Sequence, residues 1–291
     1  MRIKLILALL AILVLPVCTL AQKSFNIQGR IINEKGEPVE YVQVGIPKLN
    51  IGTVSTVDGH FKITVPADTL EFHHVSYQAA RFPVTTEADD LVIVLQELEL
   101  PPVVLTAGET KEKYLVRPGK NILGSKGSIS ISLATREFKG GELGSVAKTK
   151  KRFKIKDIEL TIRDNSIPDC VASINIYLIE DRQKETFVNV LNKPIYFNVP
   201  VSKKPQKLVI HPSETVMLEP GKYFIAFQIV GCNKEALEAY LAKPEKDRLI
   251  NEMKMTTAIY LKSSYLRENA LGKMQHIPIN IGIAVKGLEY Q

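Results

Sequence analysis

The chain has 291 residues, of which 45% are hydrophobic and 24% charged, and its formal net charge is +7. That composition excludes an intrinsically disordered or collagenous chain and a polytopic membrane protein. The length suits one or two domains, each large enough to bury a core of its own.

The N-terminus is expected to be a secretory signal peptide covering residues 1–21. Arg2 and Lys4 form a short positive n-region, the stretch from Ile3 to Val17 is otherwise almost wholly apolar, and Thr19-Leu20-Ala21 places small residues at a cleavage site before Gln22. The apolar run is too short to span a bilayer. Leu15-Pro16-Val17-Cys18 is similar to a lipoprotein signal, but the bulky Val17 argues against lipidation of Cys18. No later segment is apolar enough to span, so the mature chain is expected to be exported, to the periplasm, the outer membrane or the exterior. Two cysteines then remain, Cys170 and Cys232. An oxidising compartment permits a disulfide between them; two unpaired, buried thiols are the favoured expectation.

Charge divides the mature chain. Residues 25–110 hold twelve acids against five bases, whereas residues 111–156 hold thirteen bases against three acids. The change falls beside Pro101-Pro102, where neither a helix nor a central strand continues. Domain one is placed at 24–98, a linker at 99–112 and domain two at 113–291.

Domain one reads as seven short strands separated by turn residues. The turn Asn33-Glu34-Lys35-Gly36 follows a strand through Phe25, Ile27 and Ile31. Val42, Val44 and Ile46 alternate with polar or small residues, and Asp58-Gly59 predicts a hairpin between Thr53–Thr56 and Phe61–Val65. Strands over Leu70–His74, Ala79–Val84 and Leu91–Leu95 complete a small β-sandwich.

The blocks Ile27-Gln28-Gly29-Arg30-Ile31, Gly36-Glu37-Pro38-Val39, Gly52-Thr53-Val54-Ser55-Thr56-Val57-Asp58-Gly59-His60-Phe61 and Phe72-His73-His74-Val75-Ser76-Tyr77 resemble the carboxypeptidase-regulatory-like domain over about residues 25–97. Ser76 stands where that family usually has Gly. The resemblance implies a transthyretin-like sandwich of a kind common in exported Bacteroidetes proteins. The stretch from Glu97 to Ala107 is similar to the one following this domain in TonB-dependent receptors, but too few strands remain for a receptor barrel.

Domain two is expected to be a second, jelly-roll-like sandwich of about nine strands. Period-two alternation marks Ser128–Leu133, Ile158–Arg163, Ser173–Leu178, Tyr223–Ile229 and, unbroken, Ile277–Val285, each with one face buried. One short helical insertion is expected at about 233–255: Asn233 suits an N-cap for Lys234–Leu241, and Pro244 suits the first turn of a second helix reaching about Met255. The region is diffusely similar to uncharacterised C-terminal regions joined to such domains.

No catalytic, cofactor-binding or metal site emerges. His211-Pro212-Ser213-Glu214, with His276 as a distant third ligand, matches a zinc-peptidase pattern weakly, because Pro212 and Ser213 indicate a turn. His73 and His74 point to opposite faces of a strand and cannot share an ion, even with His60 nearby. There is no Gly-x-Ser-x-Gly motif and no Gly-rich phosphate loop. Lys148, Lys150, Lys151, Arg152, Lys154 and Lys156 form the densest basic patch. It reads as a solvated edge strand, or as a contact for anionic lipid or an acidic protein face. An exported chain gives it no nucleic-acid role. Tyr260, Tyr265 and Tyr290 are the candidates for stacking against a glycan. The reading is therefore a non-enzymatic binding or assembly module of the cell envelope, whose partner is an envelope protein, an anionic lipid surface or a glycan. A glycan-binding module is the alternative, and a hydrolase with an unrecognised site the third.

Overall fold

The computed structural model describes residues 23–99, 108–118, 127–133, 139–180, 185–248 and 252–290. The expected signal peptide, Cys18 and Pro101-Pro102 lie outside the described residues.

The first module contains β1 (Ser24–Asn33), β2 (Gln43–Ile46), β3 (Ile51–Val54), β4 (His60–Pro66), β5 (Asp68–His74), β6 (Tyr77–Val84) and β7 (Ala88–Leu95). They form two sheets, ordered β4-β1-β7 and β3-β2-β5-β6. Strand β1 runs antiparallel to β4 and parallel to β7. The alternating apolar residues meet between the sheets, where Ile27, Ile31, Val44, Ile63, Leu70 and Phe72 are buried. Phe61 packs edge-on against Phe72 with ring centroids 5.4 Å apart.

The turn at Asp58-Gly59 is present, but it does not close a hairpin. Strand β3 pairs with β2, and β4 pairs with β1, so the turn carries the chain from one sheet to the other. Gly59 has φ +78°, and a Cβ there would overlap the Ile31 carbonyl oxygen. Turn chemistry marks where a chain reverses; which strands then pair is decided by packing at long range.

The second module contains fifteen strands among the described residues, not about nine. They are β8 (Thr110–Val116), β9 (Ser128–Ser132), β10 (Glu142–Thr149), β11 (Phe153–Asn165), β12 (Cys170–Glu180), β13 (Thr186–Asn189), β14 (Ile195–Val199), β15 (Gln206–Ile210), β16 (Val216–Leu218), β17 (Gly221–Gly231), β18 (Lys254–Tyr260), β19 (Ser264–Arg267), β20 (Gln275–Ile277), β21 (Asn280–Ile281) and β22 (Ile283–Tyr290). One sheet runs β13-β12-β17-β10-β19-β20, with β14 also on β12. The other runs β21-β18-β11-β22-β8, with β9, β15 and β16 alongside. Phe153, Ile158, Leu160, Ile174, Ile225 and Val285 fill the space between them.

The regular alternation from Ile277 to Val285 is cut into three strands. Ile277 pairs with Ser264 in the first sheet, and Ile281 with Ile259 in the second. The chain crosses between sheets here, at Pro278, which lacks a ladder donor. The helical insertion is also shorter than 233–255. Helix α1 (Lys234–Ala242) starts where expected, with the Asn233 side chain accepting from Ala236 N–H at 2.9 Å. Among the described residues after Pro244 the helical structure is a 3₁₀ turn at Glu245–Asp247, and Met255 lies on β18.

The two modules meet along a close seam built on small residues. A Cβ at Gly52 would overlap the Ala270 carbonyl oxygen, and one at Gly231 would lie 3.0 Å from the Tyr41 ring. Val54, Val230 and Ala270 are buried together, with Tyr41, Val171 and Tyr196 packed around them. Asn269 donates to the Asn50 carbonyl at 2.8 Å, and Ser76 donates to the Asn192 carbonyl at 3.2 Å. Overpacking such a contact is costly. Gly52→Ala is expected to destabilise the chain by about 1–3 kcal/mol. At Gly108 an added Cβ meets only the Tyr290 ring, at 3.8 Å, so Gly108→Ala serves as the neutral comparison. Thermal melts of the two variants measure the difference, and coincident melts would contradict the seam.

Candidate functional site between the two modules

A cleft of about 330 Å³ opens along the seam. Module one contributes Tyr41, Gln43, His73 and His74; module two contributes Asn175, Tyr177, Asn189, Tyr196, Gln228 and Arg267. Strand β12 supplies Ser173, Asn175 and Tyr177 from one face, opposite the core residues Ile174 and Ile176. All five are buried, so β12 is covered on both faces and not on one as the alternation predicted.

The floor of the cleft is an ion pair. Arg267 Nε lies 2.8 Å from Glu142 Oε2, and both side chains are buried. Arg267 Nη2 donates to the Tyr177 hydroxyl at 2.7 Å and to Gln43 Oε1 at 3.0 Å, the second bond crossing the seam. Glu142 Oε1 accepts from Tyr177 Oη at 2.8 Å and from Asn175 Nδ2 at 2.6 Å. Gln228 accepts from Asn175 at 3.2 Å and donates to the Gly140 carbonyl at 2.8 Å. Burial alone would lower the Arg267 pKa, but the charge of Glu142 and the Tyr177 oxygen carry it above the usual guanidinium value. Burial pushes the Tyr177 hydroxyl up, leaving it a neutral donor. The floor therefore holds one positive and one negative charge beneath a surface of amides and phenols.

Two lining residues adopt left-handed backbone: Tyr41 has φ 52° and Leu271 φ 59°. Such conformations cost a non-glycine residue about 1–3 kcal/mol and tend to gather at ligand sites. Tyr41 packs edge-on against Tyr196 with centroids 4.9 Å apart. His74 sits beneath them. Ser76 N–H donates to its Nδ1 at 3.2 Å, so Nε2 carries the ring proton and faces the Tyr196 hydroxyl at 3.4 Å. Burial pushes the His74 pKa down to about 4.

The residues singled out from sequence lie elsewhere. Lys148 ends up on β10, Lys150, Lys151 and Arg152 in the turn that follows, and Lys154 and Lys156 on β11. This is not an edge strand: β11 has β16 on one side and β22 on the other. Arg152 pairs with Glu219 at 2.9 Å, and Lys156 with Glu112 at 2.7 Å, so an acid in the β16–β17 turn and one on β8 partly neutralise the run. His211 pairs with Asp157 at 2.7 Å and Glu214 with Lys193 at 2.6 Å, while His276 packs on Tyr265 in the other sheet. The zinc pattern is thus dispersed. Among the described residues no group of three or more His, Cys, Asp or Glu side chains is placed to hold a metal ion. His73 turns to Glu71 at 3.0 Å, away from His74. Tyr265 is buried, with its hydroxyl on Glu185 at 2.6 Å. Tyr260 and Tyr290 are half-buried and, like Tyr265, do not line the cleft. In this structure Cys170 and Cys232 are in the reduced thiol form, the first buried and the second partly exposed. No helix among the described residues is long and apolar enough to cross a membrane.

The fold defines a mostly β protein of packed sandwich modules whose N-terminal part has the regulatory-like architecture. Residues 27–105, which include the N-terminal module, match the family model of the CarboxypepD_reg-like domain. Solved structures with similarity include a streptococcal ancillary pilin (7% identity, TM-score 0.21, covering 74% of this chain and 55% of the pilin). A DUF3823 family protein from Parabacteroides merdae ATCC 43184 is another (9% identity, TM-score 0.20, covering 72% of this chain and 98% of that one). The Bacillus anthracis TIE protein is a third (10% identity, TM-score 0.21, covering 72% and 48%). The chain therefore spans less than two thirds of the pilin and of the TIE protein. No curated protein matches it in sequence.

Proposed function

We propose that this is a non-enzymatic binding module of the cell envelope whose ligand or partner enters the cleft between its two sandwiches. The observation that carries the proposal is the composition of that cleft: both modules wall it, and its floor is a buried Glu142–Arg267 pair capped by Tyr177. Its carboxylate is engaged by Arg267, Tyr177 and Asn175, an arrangement suited to holding shape. A glycan ligand is the second reading, favoured by the paired Tyr41 and Tyr196 rings beside Gln43, Asn175 and Asn189. Aromatic faces and amide groups are what a neutral polyhydroxylated ligand requires.

The test places a photo-crosslinking residue at His73, on the cleft, and separately at Lys207, on the outer face of β15. Both proteins are then irradiated in envelope fractions and with soluble envelope glycans. An adduct from the His73 probe that the Lys207 probe does not give, and that Tyr196→Ala abolishes, is expected. The same adducts from both positions would refute the cleft as the binding site. Export rests on the sequence of residues 1–21, for which N-terminal sequencing of the envelope form is expected to return Gln22. A mature protein beginning at a lipidated Cys18 would instead make it a lipoprotein.

A further inference from the structure

Cys170 opens β12, and Cys232 directly follows the end of β17. These strands run antiparallel with Val171 paired to Gly231, and just beyond that pair Asn233 N–H donates to the Pro168 carbonyl at 2.9 Å. One cross-strand link therefore stands on each side of the two cysteines, which holds their backbones together. Both side chains also turn to the same side: Cys170 lies within the core of the second module, and Cys232 packs against that core. Between those two links lie Asp169 and Cys170 on one segment and Cys232 on the other; paired residues on antiparallel strands have Cα atoms about 4.5–5.5 Å apart, and a disulfide bridges about 4.4–6.8 Å.

We propose that Cys170 and Cys232 form a cross-strand disulfide while the chain folds in an oxidising environment. The oxidant is a donor disulfide, either a small-molecule disulfide or that of a thiol–disulfide oxidoreductase. The Cys232 thiolate attacks one donor sulfur, the donor S–S bond breaks, and the other donor sulfur leaves as a thiolate. The Cys170 thiolate then attacks Cys232 Sγ and expels the second donor thiolate. The chain loses two hydrogens and is oxidised; the donor takes up two protons and two electrons and is reduced to two thiols.

The bridge belongs to folding and is not a switch in the folded chain. Burial pushes the Cys170 thiol up to about 12 and the Cys232 thiol up to about 11, so the folded protein offers little of the attacking thiolate. In the open chain both thiols have ordinary acidity and full access. Once made, the bond anchors two neighbouring features. Asn233, the N-cap of α1, donates through Nδ2 to Asp169 at 2.8 Å, and Gly231 packs against Tyr41 at the cleft.

The full chain is unfolded with reductant and refolded in a buffer of oxidised and reduced glutathione. Free thiols are then alkylated, and the soluble monomer is mapped by non-reducing peptide mass spectrometry. The expected product is a linked pair of peptides containing Cys170 and Cys232, about 2 Da lighter than their sum, with a melting temperature several degrees above that of the reduced chain. Folded reduced protein placed in the same buffer should acquire the link at least about tenfold more slowly, following its smaller thiolate fraction. Refolded monomer with both cysteines alkylated, with only separate glutathione adducts, or with either cysteine joined to Cys18 would overturn the proposal. Equal rates from folded and unfolded protein would overturn the assignment of the bridge to folding.

Discussion

Arg267→Ala will cost the folded chain about 3–5 kcal/mol, because it leaves the Glu142 carboxylate buried without its counter-ion. Arg267 is the only cation within ion-pair reach of Glu142 among the described residues, and its Nη2 also holds Gln43 across the seam at 3.0 Å. The substitution thus removes a counter-charge and an inter-module hydrogen bond together. Urea denaturation of the variant measures the loss. A drop of less than about 1 kcal/mol would mean that water reaches the carboxylate and that the pair is worth no more than an exposed one. The double variant Glu142→Met, Arg267→Met separates pairing from packing. It removes both charges while keeping side-chain volume, and it should recover much of the single-variant loss.

Acidification is the second large effect. The folded pKa of His74 is pushed down to about 4 by burial, whereas an unfolded chain titrates near the ordinary histidine value of about 6.5. Between these values the unfolded chain binds the extra proton, so stability falls as pH falls. The contribution is fully present above about pH 6.5 and is lost through the window down to about 4, amounting to about 3 kcal/mol. Geometry gives the same direction, since a proton on Nδ1 would break the bond donated by Ser76 N–H.

The other titratable groups facing this point are Glu40, Tyr41, Tyr77, Glu97, Lys193 and Tyr196, together with the His73–Glu71 pair at the cleft. Burial raises the Glu40 carboxyl. Its folded form therefore binds the proton more readily, and this stabilises the acid side and offsets part of the His74 effect. Burial holds Tyr41 and Tyr196 above the ordinary phenol value, so both stay neutral throughout. Urea titrations at pH 7 and pH 4.5 on the wild type and on His74→Gln isolate the histidine. The wild type should lose more stability than the variant over that interval. Equal losses would show that His74 does not hold the acid-sensitive proton.

Strand and turn positions were largely readable because they are local. Ile27 and Ile31, or Ile158, Leu160 and Ile162, share a face through the two-residue period of a strand, and Asn233 caps α1 with its own side chain. The cleft was not readable. Ser173, Asn175 and Tyr177 have the same alternating polar pattern as a solvated face, and nothing in that pattern says that Gln43 and Tyr41, more than a hundred residues earlier, come to lie over them. Glu142 and Arg267 are far apart in sequence and look like two ordinary surface charges. The small residues Gly52, Gly140 and Ala270 were the available signal for a close approach, although they do not name the surface approached.

By itself the sequence determined a mostly β protein, a carboxypeptidase-regulatory-like first module, the turn at Asp58-Gly59 and the start of α1, since each follows from backbone sterics, side-chain period or a local hydrogen bond. Only the tertiary structure decided that the Asp58-Gly59 turn crosses between sheets, that Ile277–Val285 is broken into three strands, that Cys170 and Cys232 pack on the same core, and that both faces of β12 are buried. These outcomes depend on which distant surface covers which face. A two-residue period states that two faces differ, but pairing and burial are fixed by contacts between segments whose separation along the chain carries no pattern of its own.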